Sequence, residues 1–202
     1  MVLSRIRNTL KAFGIDRRGV AAVEFALIAP VGMVMMLGTI ELGRAVVTAR
    51  RFNLVTAVIS DLVAREATMN DTELAAIATA ATVMWQPYDA ATLQFQVLQI
   101  RQSGPTATKI AANTNYVDWP KGFFGATVPA KCSLYTPVLP ANMLSPGGVV
   151  IIVNGSYTYK PLLGTSLPFA TATTWNWTST SSHGPRNACV DYNVTNCLPT
   201  CE

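Results

Sequence analysis

The sequence predicts an α+β protein: a long N-terminal transmembrane helix that continues into an amphipathic helix, followed by an antiparallel, β-rich extracytoplasmic domain. Three observations support this prediction. Half of the 202 residues are hydrophobic and only 13% are charged, against about 25% in typical soluble domains. A long apolar run lies near the N-terminus. Ten of the twelve prolines follow Pro87, where short alternating apolar runs replace helical periodicity.

The basic residues near the N-terminus predict a cytoplasmic leader over residues 1–19. This leader accounts for the whole net charge of +4, and the rest of the chain is neutral overall. A basic flank before an apolar run keeps that flank in the cytoplasm. Nucleic-acid binding instead requires basic side chains clustered on a folded face, so no nucleic-acid partner is expected. The basic residues of the leader are Arg5, Arg7, Lys11, Arg17 and Arg18.

A transmembrane helix is predicted over residues 20–44. Glu24 is the one charged residue between positions 19 and 40, and this run spans about 33 Å as a helix, enough to cross a hydrocarbon core of about 30 Å. A cleaved secretory signal would have a shorter apolar core and a small-x-small site. The helix is therefore expected to pass the membrane once, with its N-terminus cytoplasmic. Glu41 and Arg44, three residues apart, are predicted to pair or to mark the outer membrane boundary.

An amphipathic helical region is predicted over residues 45–86. Apolar residues recur with helical spacing between positions 54 and 63. A second helix is expected to begin near Asn70, with Glu73 as the partner in a capping box, and to end before Pro87. Its predicted buried stripe is Leu74, Ile77, Ala81 and Met84.

The β-rich domain is predicted over residues 87–178. Alternation of apolar residues with glutamine indicates its first strand, with a bulge at Leu98 where the phase slips. Residues 103–146 contain six prolines at spaced positions and are expected to be mostly loop. The strands are predicted at residues 93–97, 149–153 and 169–178.

A cysteine-containing tail is predicted over residues 179–202, and all four cysteines lie beyond position 130. In an oxidising compartment they can form two disulfides by any of three pairings, which the spacing leaves open. A metal site or buried free thiols are the alternatives. Zinc ligation is disfavoured because the chain has one histidine and no Cys-x-x-Cys pair, so no metal or cofactor is expected. The cysteines are Cys132, Cys189, Cys197 and Cys201.

The residues between Arg17 and Pro30 read RRGVAAVEFALIAP, with Glu24 and Phe25 five and six positions after Gly19. This segment resembles the start of TadE-like proteins, pseudopilin-like components of tight-adherence (Flp) pilus systems. The resemblance continues through IELGRA at residues 40–45 and, loosely, through VNGSYTYKP at residues 153–161. In the related Flp pilins a prepilin peptidase cuts after the glycine of such a motif. The resemblance therefore implies processing between Gly19 and Val20.

Glu24 has a physical reason to need a partner. A carboxylate inside a transmembrane helix costs roughly 2.5–3.5 kcal/mol on insertion scales. Cleavage after Gly19 would create an α-amino group on Val20, one helical turn away on the same face of the helix or on a neighbouring subunit. The alternative is that Glu24 lies near the cytoplasmic interface and reaches the headgroups.

The resemblance implies a structural protein, not an enzyme: a minor pilin or pseudopilin-like component of a tight-adherence apparatus in the bacterial inner membrane. Its implied partners are the membrane, a prepilin peptidase, other pilin-like subunits and inner-membrane assembly proteins that include a motor ATPase. No catalytic motif occurs in the chain, and His183 stands alone among serines. The alternative is an unprocessed, signal-anchored periplasmic binding or adhesion protein that recognises a ligand through its Trp- and Tyr-rich strands.

Overall fold

The described part of the chain, in a computed structural model, comprises residues 18–140, 142–161, 174–193 and 201. It combines a long apolar helix with an antiparallel sheet, which confirms the predicted α+β class. The chain divides into two compact units, residues 1–44 and 45–202. In order, the elements are α1 (Arg18–Arg65), β1 (Thr68–Met69), α2 (Asp71–Trp85), β2 (Gln94–Gln102), β3 (Asn115–Phe123), β4 (Val149–Tyr159), β5 (Trp175–His183) and β6 (Asp191–Tyr192).

The helix α1 is continuous over 48 residues and contributes to both units. Pro30 lies inside it without ending it; such prolines are tolerated in membrane helices. Neither proline nor glycine occurs between Arg44 and Arg65, so nothing in the sequence interrupts the second part of the helix.

The second unit is built on a four-stranded antiparallel sheet with the strand order β3-β2-β4-β5. The predicted apolar run at residues 149–153 is the start of the central strand β4. A separate two-stranded parallel sheet pairs β1 with β6, through Thr68 with Asp191 and Met69 with Tyr192.

One face of the sheet packs against α1 and α2 to form the main core of the second unit. Successive side chains of a strand point to opposite faces, and the odd-numbered residues of β4 face this core. Phe52 of α1 lies at its centre and is 1% exposed. Other members are Val55, Ile59, Val63, Leu74, Ala81, Trp85, Phe95, Val97, Trp119, Ile151, Val153, Tyr157 and Tyr159.

Among the described residues, the opposite face of the sheet is covered over only part of its length. Five buried apolar residues form a second core there, against which Tyr135, Leu139, Met143 and Leu144 pack from the segment between β3 and β4. The five residues are Leu98, Ile100, Val117, Val150 and Ile152.

Two strands differ from the sequence prediction. The strand β3 lies within residues 103–146, which were expected to be mostly loop. It contains Pro120, which cannot donate a ladder hydrogen bond. The strand β3 is the outermost strand in the sheet order, and its outer hydrogen bonds to residues 132–135 come from Asn115 and Val117, not from Pro120. The strand β5 runs to His183, and residues 169–173 of the predicted strand lie outside the described residues. The predicted bulge of β2 at Leu98 is wrong, because β2 pairs with β4 without a register shift and Leu98 faces the second core. The shift between β2 and β3 comes after Gln99, and its extra residue is Asp118 of β3.

The N-terminus of α2 has the predicted capping box. The backbone N–H of Glu73 donates to the Asn70 side chain over 3.0 Å, and the N–H of Asn70 donates to the Glu73 carboxylate over 2.9 Å. Because both bonds satisfy N–H groups that the first helical turn leaves without partners, they fix where α2 begins. The helix buries Leu74, Ala78, Ala81 and Trp85, while the predicted stripe members Ile77 and Met84 are half-buried.

A disulfide joins Cys132 to Cys201, whose Cα atoms are 5.4 Å apart. It closes a loop of 69 residues and ties the end of the chain to the segment after β3. Cys189 is also disulfide-bonded, and Cys197 lies outside the described residues. The expectation that cysteines form disulfides is thus confirmed for Cys132 and Cys201.

Candidate functional site

The four residues of the predicted processing motif lie in the first two turns of α1. Gly19, Val20, Glu24 and Phe25 are all exposed, and the exposed fraction is 56% for Val20 and 72% for Phe25. A Cβ atom built on Gly19 would have no atom within 4 Å. No other described part of the chain therefore covers the Cα atom of Gly19.

Val20 and Glu24 lie four residues apart in one continuous helix and so occupy the same helical face. This spacing suits a contact between the Glu24 carboxylate and an α-amino group at position 20. That group would exist only in a chain cleaved after Gly19, and whether cleavage occurs stays a prediction.

The segment 19–44 of α1 exposes its large apolar side chains on every face. It would extend about 39 Å as a helix, longer than a bilayer core of about 30 Å. Its most apolar 18-residue window has a mean hydropathy of 2.2, and none of that window is buried. By length and composition α1 is able to cross a membrane. The most exposed of these side chains include Val23, Phe25, Leu27, Ile28, Val31 and Met35.

Glu41 and Arg44 differ in exposure, since the Glu41 side chain is buried, at 9% exposed, and the Arg44 side chain is exposed. Both lie at the end of this apolar segment. Their predicted role at the outer membrane boundary stays a prediction.

The part of α1 within the second unit, residues 45–65, is held by aromatic packing. The ring of Phe52 lies 6.0 Å from that of Trp85, 6.3 Å from Phe95 and 6.2 Å from Tyr157, measured between centroids. Such ring pairs add to the stabilisation from burial alone. Phe52 therefore joins α1 to α2, β2 and β4.

Gly155 on β4 permits this close packing. A Cβ atom at position 155 would lie 2.9 Å from the Phe52 ring and 2.9 Å from the Thr56 hydroxyl oxygen. Both neighbours are themselves buried, and Thr56 donates its hydroxyl hydrogen to the carbonyl of Phe52 over 2.9 Å. Only glycine fits between this helix and this strand without movement of the helix.

Polar contacts also connect residues 45–65 of α1 to the rest of the second unit. Arg51 donates to the carbonyl of Gln86, and its guanidinium lies 5.5 Å from the centre of the Tyr88 ring. The Ser60 hydroxyl lies 3.0 Å from Nδ1 of His183, at the end of β5. The contact with the buried Ser60 joins His183, and with it the end of β5, to α1.

Two exposed carboxylates near α1 and α2 have lowered pKa values. The hydrogen bond from Arg65, 2.5 Å from Asp61, holds the pKa of Asp61 below its usual value. The hydrogen bond from Lys121, followed by that from Tyr192, lowers the pKa of Asp71. The same bond from Lys121 to Asp71 raises the pKa of Lys121.

A buried polar network joins β2 and β3 to Val190, the residue before β6. Nε and Nη2 of Arg101 donate to one carboxylate oxygen of Asp118 over 3.1 and 2.9 Å, and Nε2 of Gln99 donates to the same oxygen over 2.9 Å. The side-chain oxygen of Gln99 accepts a hydrogen bond from the backbone N–H of Val190 over 2.9 Å, which fixes the segment around Val190 to the sheet. Removing either Arg101 or Asp118 would leave the other charge buried without a counter-charge.

No cluster of three or more metal-ligating side chains occurs in the part of the chain that the structure describes. The predicted stripe between positions 54 and 63 includes Val55, Ile59 and Val63, which the structure buries in the main core. Sequence reasoning missed four other residues that hold α1 within the second unit, namely Phe52, Thr56, Ser60 and Gly155. A glycine inside the predicted strand β4 was a usable signal, because glycine in a strand interior often marks a close backbone approach.

Comparison with known proteins gives a match in α1. No curated protein matches the chain, and neither does any solved structure. One family model matches, and it covers residues 19–58, from the predicted processing glycine into the part of α1 held by Phe52. The resemblance seen in the sequence is thereby confirmed for this segment, which matches the TadE-like protein family.

Proposed function

We propose that this protein is a minor pilin-like or pseudopilin-like structural subunit of a tight-adherence (Flp-type) pilus or secretion apparatus, matured by a prepilin peptidase that cuts after Gly19. The observation that carries the proposal is the match of the TadE-like family model to residues 19–58, which includes the exposed segment with Gly19, Glu24 and Phe25.

The exposed apolar part of α1 supports an assembly role. A helix that is apolar on every face is stable only in lipid or against other apolar surfaces. Pilin-like subunits meet both conditions, since the helix lies in the inner membrane before assembly and against neighbouring helices afterwards. The partners in this proposal are other pilin-like subunits, a prepilin peptidase and inner-membrane assembly proteins.

The charge distribution supports the topology of the proposal. The leader, residues 1–19, carries the whole net charge of +4 and precedes the apolar segment, which favours a cytoplasmic N-terminus. The disulfide between Cys132 and Cys201 suits an oxidising compartment for the second unit. The protein is thus proposed to cross the inner membrane once, with residues 45–202 on the periplasmic or outer side.

Glu24 supplies the specific interaction in this mechanism. Cleavage removes the charges that hold the leader in the cytoplasm and creates an ammonium group on Val20. A neighbouring subunit's Glu24 carboxylate can pair with this ammonium, which offsets the cost of a carboxylate in the apolar phase. The pair sets the register of adjacent helices. No catalytic role is proposed for any residue.

The first test is the intact mass of the membrane-extracted protein, expressed in a host with its own prepilin peptidase. A chain that begins at Val20 is expected. Gly19→Leu places a bulky side chain at the cleaved bond and is expected to stay full length. Gly32→Leu is the matched control, because a Cβ atom at position 19 or 32 meets nothing within 4 Å. This control is expected to mature normally.

A wild-type chain that begins at Met1 would contradict the processing step and favour an unprocessed, membrane-anchored binding or adhesion protein. Deletion of residues 1–45 separates these two functions. An assembly subunit loses its role with that deletion, whereas a binding protein whose second unit carries the site keeps its ligand affinity.

A further inference from the structure

The outer face of the sheet, opposite α1 and α2, is divided into a covered half and an open half. The covered half carries the second core of five apolar residues. The open half carries only small or uncharged polar side chains, and we call it the polar groove. Its residues on β2, β4 and β5 are Gln94, Gln96, Asn154, Ser156, Thr158, Asn176, Thr178 and Thr180.

The polar groove consists of two adjoining cavities of about 330 and 450 Å³. Gln94, Ser156 and Thr178 line both, so the two cavities are continuous across three strands. Each volume lies within the range of small-molecule sites, about 300–1,000 Å³. The groove is therefore large enough for an extended ligand of more than one ring.

The chemistry of the groove selects an uncharged, hydroxyl-rich ligand. No charged side chain is among the residues that line it. An ionic ligand would lose its hydration without gaining a counter-charge, and an apolar ligand would bury amides and hydroxyls without partners. Side-chain amides and hydroxyls each combine a donor with an acceptor, which matches the hydroxyl groups of a neutral sugar.

The hydrogen bonds inside the groove leave its two glutamines weakly engaged with their neighbours across the strands. Nδ2 of Asn154 donates to the Gln96 side-chain oxygen over 3.4 Å, and the Ser156 hydroxyl donates to the Gln94 side-chain oxygen over 3.4 Å. Both distances exceed the usual range of 2.7–3.2 Å for N–H···O and 2.5–3.0 Å for O–H···O bonds. A ligand hydroxyl can replace the contacts to the Gln94 and Gln96 oxygens at little cost and form shorter bonds. Asn154 accepts a bond of ordinary length, 2.9 Å, from the Thr180 hydroxyl on its side-chain oxygen, so its amide N–H group is the part left for a ligand.

One wall of the groove is a tight turn after β3, which contributes Ala126 to the smaller cavity. Phe124 and Gly125 have φ values of 57° and 80°, and a Cβ atom on Gly122 would lie 2.3 Å from the carbonyl oxygen of Ala126. Gln96 donates to the carbonyl of Thr127 in this turn. This hydrogen bond joins the wall to β2.

Trp177 borders the larger cavity, but its ring belongs to the opposite face of the sheet. There it stacks on Tyr159, with ring centroids 4.7 Å apart and planes inclined by 13°. The groove therefore recognises its ligand through amides and hydroxyls and not through an aromatic ring.

We propose that the polar groove binds a neutral oligosaccharide, with the side-chain amides of Gln94, Gln96 and Asn154 as the main hydrogen-bonding groups and Ser156 and Thr178 as secondary ones. This site is independent of cleavage after Gly19. It would give the second unit a recognition function in addition to its proposed role in assembly.

The test is calorimetric titration of the full-length protein in lipid nanodiscs; alkyl maltoside detergent is avoided because its headgroup is itself a neutral sugar. The probes are maltohexaose, cellohexaose and chitohexaose, with an anionic hexagalacturonate as the comparison. At least one neutral probe is expected to bind saturably with a dissociation constant in or below the millimolar range, and more tightly than the anionic probe. Absence of saturable binding by all three neutral probes, or tighter binding of the anionic one, would overturn the proposal.

Two variants locate the site. Asn154→Ala is expected to weaken binding at least about tenfold, equal to about 1.4 kcal/mol. Thr178→Lys, at an exposed position, places a long charged side chain in the groove and is expected to weaken it similarly without unfolding the sheet. Ser182→Ala is the control on the same face of β5, opposite Ile152 in the covered half, and is expected to bind within twofold of the wild type. Unchanged affinity in both groove variants would exclude this site.

Discussion

The two parts of α1 have the same secondary structure but opposite environments. In residues 19–44 almost all large apolar side chains are exposed, with Phe25 at 72%. In residues 45–65 a stripe of them is buried, with Phe52 at 1%, while Leu54 on another face stays exposed. The first part is apolar on every face, which suits lipid or other helices. The second is apolar on one face, which suits a single protein core. One continuous helix therefore carries two different folding requirements.

The difference shows where the stability of the chain originates. Phe52, Val55, Ile59 and Val63 follow one another at spacings of three and four residues and enter the main core. Residues before Ala45 contribute no member to that core. The matched segment of the TadE-like family model, residues 19–58, extends across both parts.

The largest expected effect tests this difference with two phenylalanines of the same helix. Phe52→Ala removes a ring that contacts three others and should destabilise the second unit by about 3–5 kcal/mol. Phe25→Ala removes an exposed ring and should change the free energy of unfolding by less than about 0.5 kcal/mol. Chemical denaturation of the full chain, followed by tryptophan fluorescence, measures both. Equal effects of the two changes would contradict the comparison.

Two glycines sharpen the comparison. Gly155→Ala places a methyl group 2.9 Å from Phe52 and Thr56 and should destabilise the second unit by about 1–3 kcal/mol, because an already packed core must move. Gly38→Ala meets nothing within 4 Å and should be neutral or slightly favourable to the helix, by up to about 1 kcal/mol. The same denaturation experiment distinguishes them. Destabilisation by Gly38→Ala as large as that by Gly155→Ala would show that 19–44 is packed within the monomer.

The local elements of this fold could be predicted from the sequence. The capping box at Asn70 depends on two residues three positions apart, and the start of β4 is an apolar run directly after Pro146-Gly147-Gly148. In each case residues close in the chain determine the structure, so no knowledge of the packing was needed.

The remaining features depend on residues distant in the chain. The fit of Gly155 against Phe52 needs the register of β4 beneath α1, and the Arg101–Asp118 pair needs the register of β2 with β3. The strand β3 was missed because Pro120 and Gly122 argue locally against a strand, while its ladder with β2 and an edge position accommodate both. The cysteine spacing allowed three pairings, and the fold brings Cys132 to Cys201.

A smaller effect is expected at the start of α2, which supplies Trp85 to the ring cluster around Phe52. Asn70→Ala removes the side-chain acceptor of the capping box and should destabilise the second unit by about 1 kcal/mol. Thr79→Ala, on an exposed turn of the same helix, is the control and should have little effect. Thermal unfolding followed by circular dichroism compares the two. A change in melting temperature no larger for Asn70→Ala than for Thr79→Ala would mean that the cap does not support this core.

The smallest expected effect depends on pH and concerns the exposed Asp71, which accepts hydrogen bonds from Lys121 and Tyr192. Because these bonds lower the pKa of Asp71, the stability that they contribute is present above the usual carboxyl pKa of about 3.9. It is lost as the pH falls through the lower pKa of the folded state. The same ion pair raises the pKa of Lys121, so at high pH its contribution is lost as the pH rises through that raised value.

Asp71→Asn should therefore be less stable than the wild type between these limits, by less than Asn70→Ala, and the two proteins should converge in acid. Glu66→Gln, which removes one exposed carboxylate from the second unit, is the control for the change in net charge. A stability difference between Asp71→Asn and the wild type that persists below the lower pKa would show that the aspartate acts through packing, and its ion pair with Lys121 would then contribute nothing measurable.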